Sequence, residues 1–185
     1  LERVRRDPAL AHEAYIMLLR AATSGRMPEG ARDELLRARE SLGERSDYFA
    51  WMVRANTMSH WEWLRWNNLR HKMRGDWSRF FEEFDLLLCP AAATTAFPHN
   101  RTGERWERMI SVNGADQPST TQMFWAGYSG MVFLPSTVAP IALAADGLPV
   151  GVQIVGPEYA VLSCIAFAQL LEREYYAFTP PPGFS

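Results

Sequence analysis

The stretch Leu134 to Pro157, LPSTVAPIALAADGLPVGVQIVGP, reads as two strands joined by a tight reversal. Ser136 to Leu143 is a run of small, apolar and β-branched residues, bounded by Pro135 in front and by Ala145-Asp146-Gly147 behind. That is the pattern of a buried strand ending in a turn. Asp146-Gly147 supports the reversal, because Asp tolerates left-handed backbone and Gly takes positive φ at little cost. Leu148 to Val155 is the returning strand, with Pro149 at its start, where no ladder hydrogen bond is lost, and Gly151 marking close approach by a neighbouring backbone.

Gly156-Pro157 closes that strand. Glu158 to Glu174 then places apolar residues at Val161, Cys164, Ile165, Ala168, Leu171 and Tyr175, the spacing of a helix laid on a sheet. Working back from the hairpin, Ser119 to Gly130 predicts a helix capped by Ser119 or Thr120. Ala91 to Gln122 reads as loop, punctuated by Pro98, Gly103, Gly114 and Pro118, with a strand over Glu107 to Val112 and a turn at Asn113-Gly114. Asp85 to Cys89 predicts a short buried strand on the continuous Leu86-Leu87-Leu88, ended by Pro90.

The first half reads as helices. Asp7 with Pro8 starts one that stops near Ser24-Gly25, and a second follows Pro28, carries Leu35 and Leu36 and ends before Gly43. Ser46 is the expected cap of the longest, Asp47 to Phe84, with Gly75-Asp76 as its kink or interruption. Met58, Trp61, Leu69, Met73, Trp77, Phe80 and Phe84 mark one buried face of it. Trp51, Trp63 and Trp66 exceed one stripe, which predicts cover on two sides. The division expected is 1–84 helical, 85–158 strands and a long loop, and 159–175 helix.

The ordered series DLLLCP (Asp85 to Pro90), Phe97-Pro98-His99, Val112-Asn113-Gly114, Phe124-Trp125-Ala126-Gly127, LPSTVAPI, GLPVGVQIVGP and IAFAQLLERE resembles the C-terminal part of an amidase signature family enzyme. The similarity covers most of the chain from about Tyr48 to the proline-rich end at Pro180 to Phe184. It implies an α/β fold, the C-terminal portion of the amidase signature fold, with long helices plus a few strands of a mixed sheet. It also implies hydrolysis of amide carbon–nitrogen bonds by a serine nucleophile assisted by a second serine and a lysine. In the family those three residues lie in a Gly/Ser-rich region N-terminal to everything matched here.

This chain contains no Ser-Ser dipeptide, and its one lysine, Lys72, stands among Arg70, His71 and Arg74 on a helical face. No catalytic residue is therefore carried over. The expectation is a segment inactive alone that completes the sheet and walls the substrate channel, in partnership with the missing N-terminal catalytic part of the same enzyme. The small-molecule amide would meet Phe124, Trp125 and Tyr128 at the acyl-group pocket. His99 is expected at a pocket rim, and Gln153 either facing the channel or satisfying a sheet edge. Phe133 stands where similar members carry a small residue, and Val161-Leu162 follows Gly156-Pro157 where an Asp-Arg pair is frequent. The alternative is a non-catalytic, truncated amidase-like interaction module.

Composition agrees with a globular domain: 48% hydrophobic and 22% charged residues, with a net charge of −2 that argues against nucleic-acid binding. Two cysteines, Cys89 and Cys164, each lie in an apolar run and read as free thiols. The segment LERVRRDPAL carries no signal-like apolar core, and no run approaches the ~20 residues that span a bilayer, so a cytoplasmic location without membrane contact is expected. The four histidines, His12, His60, His71 and His99, have no metal-ligand spacing, and no metal or organic cofactor is implied. Gly127-Tyr128-Ser129-Gly130 departs from a nucleophile elbow in its glycine spacing and in lacking a preceding strand. Self-association into a homo-oligomer is expected from apolar surface left bare.

Overall fold

The computed structural model describes residues 7–181 and 183. Leu1 to Arg6, which open the LERVRRDPAL segment, and Pro182, Phe184 and Ser185 at the proline-rich end lie outside the described residues.

Helix α1 spans Pro8–Thr23, with the Asp7 carboxylate accepting the Leu10 N–H at 3.0 Å and Pro8 in the first turn. Helix α2, Glu29–Glu40, begins directly after Pro28. The single helix expected from Asp47 to Phe84 is instead two: α3, Tyr48–Asn56, and α4, His60–Phe80. Asp47, not Ser46, caps α3, accepting the Ala50 N–H at 2.9 Å.

The break falls at Thr57 to Ser59 because the chain carries a local instruction there. Ser59 Oγ accepts the Glu62 N–H at 3.2 Å while Glu62 Oε2 accepts the Ser59 N–H at 2.7 Å, a reciprocal capping box. Glu62 also pairs with Arg39, which fastens the start of α4 to α2. Gly75 stays inside α4 without interrupting it. Ser59→Ala is expected to lower stability by about 1 kcal/mol, read as a shifted urea midpoint with an unchanged slope.

Strand β1 is Leu87–Pro90. The long loop contains a separate hairpin of β2, Met109–Val112, and β3, Ala115–Pro118, turning at Asn113-Gly114. β3 has no apolar alternation, which is why it was not legible in the sequence. The expected helix over Ser119 to Gly130 divides into a 3-10 turn, Ser119–Gln122, and helix α5, Met123–Gly130. Strand β4, Ser136–Leu143, and strand β5, Pro149–Val155, form the hairpin read from the sequence. Its turn closes with the Ala144 N–H on the Leu148 oxygen at 2.8 Å. Helix α6 is Val161–Glu174, starting later than Glu158.

β5 is the centre of a three-stranded sheet, with β1 on one side and β4 on the other. Among the described residues every strand pairing is antiparallel, and no parallel pair of the expected mixed sheet is among them. The β2–β3 and β4–β5 connections are hairpin turns, far shorter than the crossover a parallel pair needs. β4 bulges between Pro140 and Ala142, the place where an outer strand tolerates proline. Opposite it, a methyl at Gly151 would stand 3.0 Å from Val138 Cγ1 and 3.5 Å from the Ala139 oxygen, so the closest approach is by a side chain and not by the neighbouring backbone expected from the sequence.

Alternation along the strands sends side chains to two different layers. On one face Leu86, Ala139, Val152 and Ile154 meet Cys164, Phe167, Ala168 and Leu171 of α6. Val161, Ile165 and Tyr175, expected on that buried face, are half-exposed or exposed, because the contact runs along Cys164, Phe167, Ala168 and Leu171 instead. On the other face Leu87 joins Ala14 of α1, Trp77 and Phe80 of α4 and Met131 and Val132 beyond α5. Leu88, expected to be buried, is 49% exposed, since β1 is an outer strand here. A third cluster joins α2 and α3 through Leu35, Ala50 and Val53.

Candidate functional site

Helix α5 carries three of the five expected site residues, and its two ends explain its position. At the C-terminal end the Leu134 N–H bonds the Ser129 oxygen at 3.1 Å and the Phe133 N–H bonds the Gly130 oxygen at 3.4 Å, a Schellman cap. The cap requires left-handed backbone at Phe133, and its φ is +63°. This is the physical reason a small residue suits the position. Phe133 bears the conformation beneath two guanidinium groups, Arg70 at 4.4 Å and Arg74 at 5.2 Å from the ring centre, while Arg74 pairs with Glu158 at 2.6 Å.

On its sheet side α5 is tied by buried polar groups. Gln153 Nε2 donates to Ser129 Oγ at 3.0 Å, and Ser129 Oγ lies 3.1 Å from Ser136 Oγ. Gln153 is 4% exposed and sits on the central strand, so it neither lies at a sheet edge nor faces an open cleft; its amide holds α5 to β5. The described partners of the Ser129 hydroxyl are an amide and a second hydroxyl, neither of them a base, and the serine is itself buried. The arrangement is a structural tie.

With that side fixed, the aromatic face of α5 turns toward α1 and α4. The Phe124 and Trp125 ring centres are 5.0 Å apart, Phe124 and Tyr128 5.6 Å, and Trp77 of α4 meets Tyr128 edge-on at 5.3 Å. The structure thus brings Phe124, Trp125 and Tyr128 together. His99 is exposed in the long loop and lines neither of the clefts against α5.

Two clefts open against this wall. The first, of 560 Å³, lies between α1, α4 and α5 and is lined by Tyr15, Met73, Trp77, Phe124 and Tyr128. The second, of 290 Å³, lies between α1, Ala93, Gln117, Thr121, Phe124 and Trp125. His12 and Phe124 line both. The His12 ring stands 5.8 Å from both Trp51 and Phe124, its Nδ1 is buried without a hydrogen-bond partner, and burial pushes its pKa below the ordinary histidine value. The imidazole is therefore neutral at neutral pH. His12 was not legible as a site residue: nothing adjacent in sequence marks it, and only the packing of α1 on α5 brings it there. A third opening, between Ala91 to Ala96, the β4–β5 hairpin and Tyr176 to Pro181, is apolar and broad.

Lys72 is exposed on α4 at the rim of the first cleft. Cys89 and Cys164 are free, and burial pushes the Cys89 thiol up to about 11, which leaves it a poor nucleophile. Among the described residues no group of three or more His, Cys, Asp or Glu side chains is placed to hold a metal ion, and no helix is long and apolar enough to cross a membrane.

The chain is similar to known proteins. A family model described as Amidase matches residues 22–161. The chain is 32% identical to a glutamyl-tRNA(Gln) amidotransferase subunit of Syntrophomonas wolfei over 123 residues, 65% of this chain and 23% of that protein. It is 38% identical to the corresponding amidotransferase subunit of Methylobacillus flagellatus over 96 residues, 51% of this chain and 18% of that protein. Among solved structures, a bacterial aryl acylamidase of the amidase signature family superposes with a TM-score of 0.63 at 22% identity, covering 96% of this chain and 38% of that one. The glutamyl-tRNA(Gln) amidotransferase subunit of Thermotoga maritima superposes with a TM-score of 0.56 at 18% identity, covering 89% and 32%. The chain spans less than a quarter of the length of these curated relatives.

Proposed function

Since the chain belongs to the amidase family, we propose that it is the C-terminal part of an enzyme that hydrolyses amide carbon–nitrogen bonds, and that it completes the sheet and walls the substrate channel. The observation that carries this is the position of α5: Gln153 and Ser136 hold its one side to the sheet, and its other side offers Phe124, Trp125 and Tyr128 to two clefts. The 185 residues hold no Ser-Ser pair, so the nucleophile is supplied by the remainder of the longer protein.

The chemistry in that protein is acyl transfer. A serine hydroxyl adds to the amide carbonyl and loses its proton to a base. The tetrahedral intermediate collapses, the C–N bond breaks, and the nitrogen leaves protonated as ammonia or an amine. Water then cleaves the acyl ester and regenerates the serine. The role of this chain is to bind the apolar acyl portion and keep water from it. No metal or organic cofactor enters the scheme.

The outer face of α6 supports the same reading. Leu162 is 80% exposed, and Ile165 and Leu170 are 41% and 45% exposed, so this helix is apolar on the side away from the sheet as well as toward it. A helix apolar on two sides is one that is covered on both. In this proposal the remainder of the enzyme supplies that cover in a cytoplasmic protein. Were the chain to occur alone, the same surface would make it an interaction module or a homo-oligomer.

The test is the intact mass of the protein captured from its native host, followed by an amide-hydrolysis assay on the captured product. A product much heavier than 21.1 kDa that releases ammonia or an amine from simple amides is the expected result. A product of 21.1 kDa without hydrolytic activity would overturn the enzyme reading in favour of the interaction module.

A further inference from the structure

We propose that the complete protein supplies a carboxylate from outside these 185 residues to Arg70 of α4, and that the segment carrying it is seated across Phe133 and the connection from β5 to α6. This rests on the reading of the chain as part of a longer enzyme, and goes beyond it by naming where the remainder docks and by what chemistry.

The charges at this place do not balance. Arg70 and Arg74 stand one turn apart on α4, a spacing at which like charges repel. Their guanidinium groups approach the same Phe133 ring, to 4.4 and 5.2 Å from its centre. One carboxylate serves the two: Glu158 pairs with Arg74 at 2.6 Å. Among the described residues Arg70 has no ion pair; its guanidinium bonds the neutral Asn67 amide oxygen, and its Nε is buried without a hydrogen-bond partner. The other carboxylates of α4 are committed elsewhere, Glu62 to Arg39 and Asp76 to Arg79.

Arginine keeps its proton throughout the physiological range, so this half-buried group cannot escape its position by neutralising. Burial and the Arg74 charge both act against it and lower its pKa below the ordinary arginine value. An oxyanion satisfies such a group, and the planar guanidinium fits a carboxylate through two parallel hydrogen bonds.

The surrounding surface has the make-up of an interface. Phe133 is 50% exposed, Tyr159, next to Glu158, is 90% exposed, and Leu162 is 80% exposed. Aromatic rings and arginine set together are what a fitted partner covers. Because the chain spans less than a quarter of the length of its curated relatives, the segment that reaches this surface belongs to the same protein.

In the complete protein, Arg70→Lys puts an amine where the guanidinium stood, and Lys72→Arg removes the one lysine native to this chain. A water-soluble carbodiimide then condenses that amine with a carboxylate in contact with it, forming an amide with loss of water, and peptide mapping by mass spectrometry identifies the partner. The expected product links position 70 to an Asp or Glu outside the 185 residues. A link to Glu158, or no link, overturns the proposal.

The unaltered protein gives an independent reading. Phenylglyoxal is expected to leave Arg70 unlabelled in the native complete protein and to label it in urea. Equal labelling in the two states overturns the proposal without any variant. Inorganic phosphate separates a dissolved oxyanion from the protein's own carboxylate: the melting temperature is expected to respond to it alike in the wild-type and Arg70→Met proteins. A saturable rise that Arg70→Met abolishes assigns the site to a free anion and overturns the intramolecular source. A failed cross-link leaves amide hydrolysis by the longer enzyme standing, whereas a native product of 21.1 kDa removes the remainder and overturns both.

Discussion

Trp77→Ala is expected to destabilise the chain by about 4 kcal/mol, the cost of deleting a large aromatic side chain from a packed interior. Trp77 is 6% exposed on the inner face of α4. Its ring meets Phe80 edge-on at 5.5 Å, Phe81 in a stack at 5.8 Å and Tyr128 edge-on at 5.3 Å. It therefore joins α4 to α5 as well as filling the core. A domain of this size is stable by roughly 5–15 kcal/mol, so the loss is a large fraction of the total. At about 3 °C per kcal/mol, the melting temperature falls by about 12 °C. Trp77→Phe retains a ring against Tyr128 and should lose less than half as much. Urea denaturation of the three proteins checks the order. A loss below about 1 kcal/mol in Trp77→Ala would show that the α4–α5 seam does not depend on this ring.

Gly127→Ala is expected to cost about 3 kcal/mol, from overpacking where α5 crosses α1. A methyl group on Gly127 would stand 2.5 Å from Tyr15 Cγ and 2.7 Å from its Cε1, closer than carbon atoms approach. Helix α5 is held on its other side by Gln153 and Ser136, so it has little freedom to retreat, and Tyr15 must move or α1 must lift. Either movement narrows or distorts the 560 Å³ cleft that Tyr15 and Gly127 both line. The diagnostic is the double variant. Tyr15→Ala combined with Gly127→Ala should cost at least about 1 kcal/mol less than the two single losses added together, since Tyr15→Ala removes the ring against which Gly127→Ala clashes. Simple additivity would mean that the strain is relieved elsewhere.

Elements whose signals are local were legible in the chain. Asp7-Pro8 started α1, Asp146-Gly147 turned the β4–β5 hairpin, and Asn113-Gly114 turned β2 into the strand that follows. Ser59 and Glu62 also carried a local signal, a serine three residues ahead of a glutamate, but the continuous aromatic pattern on both sides hid it and the two helices read as one. Strand β3, Ala-Asp-Gln-Pro, had no apolar pattern to read, because it pairs with β2 at the surface rather than covering a core.

The site divides in the same way. Phe124, Trp125 and Tyr128 are neighbours on one short helix, so their proximity followed from sequence spacing and from the resemblance of that stretch to amidases. His12 is more than a hundred residues away and entered the site when α1 packed on α5. Gln153 shows the converse. Its place on β5 followed from alternation, but its partner Ser129 was set by which sheet face α5 covers.

Turns, caps and strand alternation depend on interactions within a few residues, and the amino-acid order of this chain sets them directly. The antiparallel order β1-β5-β4, the burial of His12 and the two clefts against α5 arise from contacts between segments far apart in sequence. Those contacts form only when the apolar faces of separate elements exclude water together, and so they belong to the folded chain.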